Sequence, residues 1–347
     1  MKTTKLVLLS ILLMYYGSLI WAQSLPNLPG LNYDYHTTEH TVSAITLGMG
    51  GLNLTNAADY FTSYDNPALL ADNLGSAFAT SFRLTNKENL SFADLTDARN
   101  LLHDKQFMYF TLITKNAAWS YHPVTGINIS EGASYPNSRY YDFQLDKLQL
   151  SIAAKDDRSS QLAGGINLKY LVGRLIYLKV NNGVVSDRLI DNKVKGISGD
   201  IGFTWNEERY IWGACLYDLY SKLWWEDYDS KSLKQRAALG FQYLGDNYSL
   251  MASLQGKIAK EAETTYHFGF VKNWSWKVTG ADSKEIEQSI VLRSGLFSRD
   301  FDGTKNISYT LGSGYNYSMF RIDFAMTNEG MRLRDSKYLF SIGAGIQ

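Results

Sequence analysis

From Ser76 to Gln347 apolar side chains fall at every second position, segment after segment, and a chain written with that period folds into strands. Phe78, Thr80, Phe82 and Leu84 share one parity, and Ala77, Ala79, Ser81 and Arg83 the other. Leu148, Leu150, Ile152 and Ala154 alternate with Lys147, Gln149, Ser151 and Ala153. Leu162, Gly164, Ile166, Leu168, Tyr170 and Val172 alternate with Ala163, Gly165, Asn167, Lys169 and Leu171. The same scheme returns over 106–114, 117–124, 197–205, 237–243, 248–254, 307–317, 320–326 and 338–346. Short polar connections, such as Lys115-Asn116 and residues 156–160, make consecutive strands antiparallel neighbours. The expected count is about fourteen strands at roughly nineteen residues per strand and connection, which suits a membrane barrel whose tilted strands need about 9–11 residues.

Alternation alone does not say whether the apolar face looks into a core or out to lipid. Three features favour lipid. The strands are many for one sandwich. Charges sit mid-strand on the opposite parity (Lys169, Asp200, Arg293, Arg321, Asp323), as a wet or ion-paired lumen requires. Aromatics gather near strand ends: Trp205, Tyr210, Trp212, Trp224, Trp225, Tyr243, Tyr248, Trp274 and Trp276 are the candidates for interfacial girdles. The competing fold is a secreted sandwich pair or a propeller, and no repeat of fixed period supports a propeller. Twenty-four tyrosines, 28 glycines and eight tryptophans beside five prolines suit glycine-punctuated strands better than helices.

Ahead of the strands lie two segments of different character. Met1 to Ala22 reads as a secretory signal: Lys2 and Lys5, an uncharged apolar run from Leu6 to Ile20, and Ala22 before Gln23 as the cleavage point. Residues 23–75 read as a lead-in and plug, and 76–347 as the barrel. Within the plug, Gly48, Gly50 and Gly51 let the backbone turn sharply or lie close to another surface. Asn66, Pro67 and Ala68 then impose a bend, because proline restricts the residue before it. Residues 86–105, polar with Leu90, Phe92, Leu95, Leu101 and Leu102, suggest a short helix over an opening.

The GMGG run, Asp59, and then Asp65-Asn66-Pro67-Ala68 before strands to the end of the chain resemble the start of the FadL family of outer-membrane barrels, which includes a PorV-like branch. Gly196 to Glu226 and Leu292 to Phe324 carry the resemblance into the middle and the end. It implies a transmembrane barrel in the cell outer membrane with its amino-terminal segment plugging the lumen. It also implies passage of hydrophobic small molecules, with Gly48, Gly50, Gly51, Asn66, Pro67 and Ala68 as plug or gate. The PorV-like branch implies instead an accessory barrel of type IX protein secretion that binds exported proteins or the secretion channel. A barrel with a structural role only is a third possibility. The last strand, Lys337 to Gln347, resembles the closing strand of such barrels, but it ends Ile346-Gln347 without a final aromatic.

Chemistry is not signalled. The five histidines, His36, His40, His103, His122 and His267, sit in no zinc or nucleophile motif, and there is no HExxH, GxSxG or P-loop. His36 and His40 are four apart without a third ligand. No metal, no cofactor and no enzymatic activity are expected. Arg293, Arg321 and Asp323 are expected to form an ion-pair cluster in the lumen, structural before ligand-binding. Cys215 is the only cysteine, so no internal disulfide forms. A formal net charge of zero gives no basic footprint for nucleic acid. The expected partners are outer-membrane lipid, a hydrophobic ligand and, in the second reading, secretion-system proteins.

Overall fold

A computed structural model of the chain describes residues 41–72, 75–84, 105–131, 138–156, 161–181, 184–185, 190–258, 264–279, 285–298, 307–328 and 336–346. The expected signal, the lead-in to residue 40, residues 86–104 and the histidines 36, 40 and 103 lie outside the described residues.

The strands are β1 (Ser76–Leu84), β2 (Lys105–Thr114), β3 (Ala117–Glu131), β4 (Ser138–Lys155) and β5 (Leu162–Asn181). A two-residue strand, β6 (Val184–Val185), hooks onto the end of β5. Then come β7 (Ile190–Glu207), β8 (Tyr210–Trp225), β9 (Arg236–Leu244), β10 (Tyr248–Lys257) and β11 (Thr264–Thr279). The chain finishes with β12 (Glu285–Ser298), β13 (Ile307–Tyr317), β14 (Phe320–Asn328) and β15 (Ser336–Ile346). Apart from β6, each strand pairs antiparallel with the next in sequence, β5 pairs with β7, and β15 returns to β1 in register from Ser76↔Ile346 to Leu84↔Tyr338. The result is a closed fourteen-stranded barrel. Closure leaves no strand edge in hydrocarbon, where an unpaired backbone group costs several kcal/mol.

Connections alternate in length around the ring. At one rim Lys115-Asn116, Glu208-Arg209 and Ser318-Met319 join strands in two residues. Asn116, Glu208 and Ser318 take the left-handed φ values (64°, 42° and 53°) that such tight hairpins need. At the other rim the connections are longer, as at 85–104 and 226–235. In bacterial outer-membrane barrels the short turns face the periplasm. The wall is uneven: β4, β5, β7 and β8 run 16–20 residues, whereas β9 and β14 run nine.

Burial by parity runs opposite to that of a soluble sheet. Leu150, Ile166, Leu168 (53 % exposed), Phe203, Leu239 (57 %) and Leu292 point outward, whereas Lys147, Gln149, Asn167, Lys169, Asp200 and Arg293 are buried on the inner face. Such a surface is stable only against lipid. Tyr210, Tyr243, Tyr248 and Phe270 form an aromatic chain near the short-turn rim, with ring centroids 5.6, 6.1 and 6.4 Å apart in that order. Trp205, Trp212, Trp224, Trp274 and Trp276 are also exposed on the outside. Trp225 departs from the girdle expectation. Adjacent strand residues face opposite ways, so with Trp224 outward Trp225 turns in, where it packs in a buried cluster with Val194 and Leu223. The described part of the chain has no helix long and apolar enough to cross a membrane, so the crossing is made by strands.

A cation at a lipid-facing midplane position costs barrels of this type about 2–4 kcal/mol. Leu168→Arg should lower the unfolding free energy in lipid by that amount. Lys193→Arg, at an exposed position on β7, should leave it within about 0.5 kcal/mol, as read by urea titration.

Candidate functional site

The lumen is occupied by residues 41–72, which precede β1. Three short elements punctuate this plug: a helix at Ala44–Gly48, another at Thr62–Asp65, and a 3-10 turn at Pro67–Asp72. Ser43 caps the first, its Oγ accepting from Ile45 N and Thr46 N at 3.1 and 3.2 Å. The same hydroxyl donates to Asp59 Oδ2 at 2.6 Å, and Thr46 Oγ1 donates to that oxygen at 3.0 Å. Phe61 N donates to Asp59 Oδ1 at 2.9 Å. Asp59 thereby ties the first helix to the approach to the second. Burial nevertheless pushes its carboxyl above the usual range, against these hydrogen bonds.

At five strand glycines the plug comes directly against the wall. Gly165 on β5, Gly213 on β8, Gly240 on β9, Gly269 on β11 and Gly295 on β12 all face it. A Cβ on Gly165 would sit 2.5 Å from Pro67 C, and one on Gly269 would sit 2.5 Å from Met49 O. From the plug side, Gly48 lies against Gly312, where a Cβ would be 3.1 Å from its Cα. Gly50 has φ 91° and would drive a Cβ to 2.6 Å from Phe268 O. Gly51 also has a left-handed φ, 86°. Asn66 is fully buried in extended geometry (φ −147°, ψ 105°), and its Nδ2 donates to Leu54 O at 2.9 Å and to Phe203 O of β7 at 3.2 Å. Its Oδ1 accepts from Ala68 N at 3.1 Å, which sets the bend at Pro67.

Wall side chains then capture the plug's own carbonyls. Gln149 Nε2 and Asn167 Nδ2 both donate to Ser63 O at 3.0 Å, and Tyr217 OH donates to Asp65 O at 2.7 Å. Arg321 donates to Ala58 O at 2.6 Å, His267 Nδ1–H to Gly50 O at 2.6 Å, and Thr310 Oγ1 to Gly48 O at 3.3 Å. Arg321 Nε also donates to Asp323 Oδ2 at 2.8 Å, and Arg293 approaches Asp323 Oδ1 at 2.9 Å. One cluster of Arg293, Arg321 and Asp323 therefore bridges β12, β14 and the plug.

A second ionic group lies on the tall side of the wall. Lys169 is 2.6 Å from Asp200 and 3.1 Å from Asp218, Ser198 Oγ donates to Asp218 at 2.6 Å, and Arg236 stands 3.6 Å from Asp218. A bulge in β8 makes this possible. The β7–β8 register shifts between Gly199 and Ile201, and Asp218 takes φ 52° with its N–H donating to Asp200 Oδ1 at 2.9 Å. Tyr217 and Asp218, though adjacent, thus both face inward. Lys147 sits over the Tyr64 ring of the plug at 4.4 Å. Two residues further toward the loop rim the inner wall becomes apolar. Val124, Leu145, Leu171, Leu175, Val194, Leu223 and Trp225 form one buried cluster, with Tyr228 and Leu233 packed on it. Along β4 and β5 the inner face therefore passes from plug contacts (Gln149, Gly165, Asn167) through cations (Lys147, Lys169) to hydrocarbon (Leu145, Leu171).

Sequence reasoning singled out Gly48, Gly50, Gly51, Asn66, Pro67 and Ala68; the structure sets five of them against the wall, whereas Gly51 bonds within the plug, its O accepting from Thr41 Oγ1 at 3.1 Å and its N donating to Thr46 O at 2.8 Å. It missed Gln149, Asn167, Tyr217, Asp218 and His267 as plug holders or belt members. Their only signal was polarity on the inner parity. Among the described residues no group of three His, Cys, Asp or Glu converges as a metal site.

No protein-family model matches the chain, and no curated relative does. Solved structures do. The P. putida toluene transporter TodX aligns at 10% identity and TM-score 0.55, and the Ralstonia pickettii toluene transporter TbuX at 14% and 0.50. The CymD monoaromatic hydrocarbon channel aligns at 10% and 0.52. Each alignment covers 88% of this chain and 97% of the other. The chain has the fold of these outer-membrane transporters. Two of these structures are titled as transporters and one as a channel.

Gly269→Val should unseat Met49 without breaking the β11–β12 ladder. Limited proteolysis of the folded barrel should then cut within residues 41–72 at least fivefold faster than in wild type. Seating should also depend on pH. Desolvation raises the Asp65 carboxyl to about 8 in the plug, against the backbone hydrogen bond from Asn53 and the charge of Lys147. The seated state then holds a proton that a solvated Asp65 would lose near 3.8, so seating weakens as pH rises from 3.8 to about 8 and is flat above. Protection of 41–72 against hydrogen exchange, taken relative to the intrinsic rate at each pH, should be lower at pH 8.5 than at pH 5.5, and Asp65→Asn should shrink the difference, leaving the smaller share that the raised Asp59 contributes.

Proposed function

We propose that the barrel conducts hydrophobic small molecules across the outer membrane, with residues 41–72 as its gate. The observation that carries this reading is the layered inner face: hydrocarbon toward the loop rim, charge below it, and the plug below that. An apolar solute leaving water finds a matched lining near the loops. The paired charges and the seated plug deny a continuous aqueous path. The plug is held by non-covalent contacts alone, each hydrogen bond worth about 0.5–1.5 kcal/mol net, so it can shift without bond breakage. The resemblance in fold to channels titled for toluene and monoaromatic hydrocarbons supports the same class of cargo. Gly48, Gly50, Gly51, Asn66, Pro67 and Ala68 act as the seat of the gate, and Arg293, Arg321 and Asp323 as one of its anchors. The protein is not an enzyme in this reading. Among the described residues of the lumen nothing favours the secretion role over conduction.

The test is entry of N-phenylnaphthylamine into intact cells, where it fluoresces only after crossing the outer membrane. Cells carrying the barrel should take it up several-fold faster than cells lacking it, and equal rates would overturn the proposal. Gly50→Trp, which cannot seat against Phe268, should change the rate at least threefold while the barrel still assembles. An unchanged rate would show that this segment does not gate.

A further inference from the structure

The hairpin of β11 and β12 overruns the short-turn rim. β10 accompanies β11 only to Tyr248↔Lys272, with Asn273 N donating to Asn247 O at 2.9 Å. β13 leaves β12 at Gln288↔Tyr317, with Ser318 N donating to Glu287 O at 3.1 Å. Beyond Asn273, residues 274–279 pair only with 285–290, and 273–279 are exposed on both faces of the ribbon.

One edge of that ribbon is open. In an antiparallel ladder a residue turns its N–H and C=O to the same side. Asn273 turns its pair toward β10, so Ser275, Lys277 and Thr279 do likewise. Their three donors and three acceptors face the space beneath the β9–β10 turn, with no backbone partner among the described residues. The edge lacks the usual protections: the run NWSWKVT has no proline, no glycine and no bulge. Its one charge, Lys277, is taken up by Glu285 at 2.7 Å.

The outward face of the ribbon is apolar and continues the lipid-facing belt. Trp274, Trp276 and Val278 follow the parity of Phe268 and Phe270, with Ile290 and Ile286 opposite Trp274 and Val278. Yet Tyr248, a member of the rim aromatic chain, stands opposite Lys272. At about 3.3 Å rise per residue and about 40° tilt, Trp276 and Val278 lie some 10–15 Å past that level, beyond the hydrocarbon. Lipid therefore cannot cover the whole stripe.

We propose that this edge receives an extended segment of a periplasmic polypeptide, added as a strand beside residues 274–279. The added strand would prolong the ladder β10 makes with β11. Main-chain bonds supply the attachment, and alternate side chains the selectivity. The segment carries apolar residues on the bilayer side, against Trp274 and Trp276, and polar ones on the other.

The probe is a fluorescein-labelled peptide, Ser-Thr-Val-Glu-Val-Thr-Val-Ser, titrated onto the full barrel in lipid nanodiscs and read by anisotropy. Saturable binding is expected. Lys277→Pro and Ser275→Pro should each weaken it at least tenfold, since proline there removes an edge donor but no bond to β12. Retained heat-modifiable migration on gels shows that these variants are folded. Trp276→Ala should weaken binding severalfold with the edge intact. No binding, or equal binding by the proline variants, overturns the proposal. So does quenching by brominated phospholipid of a dye on Val278→Cys (Cys215→Ser background), which assigns the ribbon to lipid. Barrel dimers abolished by Lys277→Pro assign it to a second copy and likewise overturn it.

Discussion

The seam between β1 and β15 is the contact on which everything else depends. Its nine register pairs turn a ribbon of strands into a ring, and only a ring leaves the hydrocarbon free of unpaired amides. Once the ring exists, inside and outside are fixed by parity, and side chains sort between two environments with opposite demands. Leucines and phenylalanines that would be a liability on a soluble sheet become its solvation. Lysines, aspartates and asparagines that would not tolerate lipid are collected in the lumen.

A lumen filled this way needs its charges matched, since an uncompensated buried ion is costly. Two ionic groups do so, one around Asp323 and one around Lys169, Asp200 and Asp218. The second requires two neighbouring residues of one strand to look the same way, which the left-handed Asp218 provides. The plug solves a related problem. Its irregular backbone leaves carbonyls without helical or ladder partners, and the wall supplies an amide, a phenol, an imidazole, a guanidinium and a hydroxyl to meet them. Strand glycines supply the room. Close approach and satisfied polarity, rather than apolar burial alone, hold the segment in place.

Much of this was written in the sequence. β1, β13 and the start of β5 follow directly from period two, and the ring follows from their number and their short connections. β3, β4, β5 and β7 run longer than their period-two stretches. Their loop-side halves carry residues such as Arg174, Asp191 and Lys193 outward, above the belt, where the apolar alternation that marks a lipid-facing strand lapses. Trp225 reads as a girdle residue because strand ends are where such aromatics occur, and only its neighbour's orientation decides otherwise. The glycines and Asn66 were legible because backbone geometry restricts which residues can stand there. The carbonyl-binding residues were not, since a glutamine on an inner face looks the same whether it meets water or a peptide group.

The 3-10 turn at Pro67–Asp72 stands only three residues before β1. A link that short spans about 14 Å at full stretch, so the end of the plug nearest the barrel is on a leash bolted to the wall. The Pro67–Asp72 end therefore stays at the barrel whatever the rest of the segment does. Any opening must begin at the far arm, near residues 41–56, and swing about Asn66. The chain is thus built as a door with its hinge at the strand and its free edge at Gly48 to Gly51.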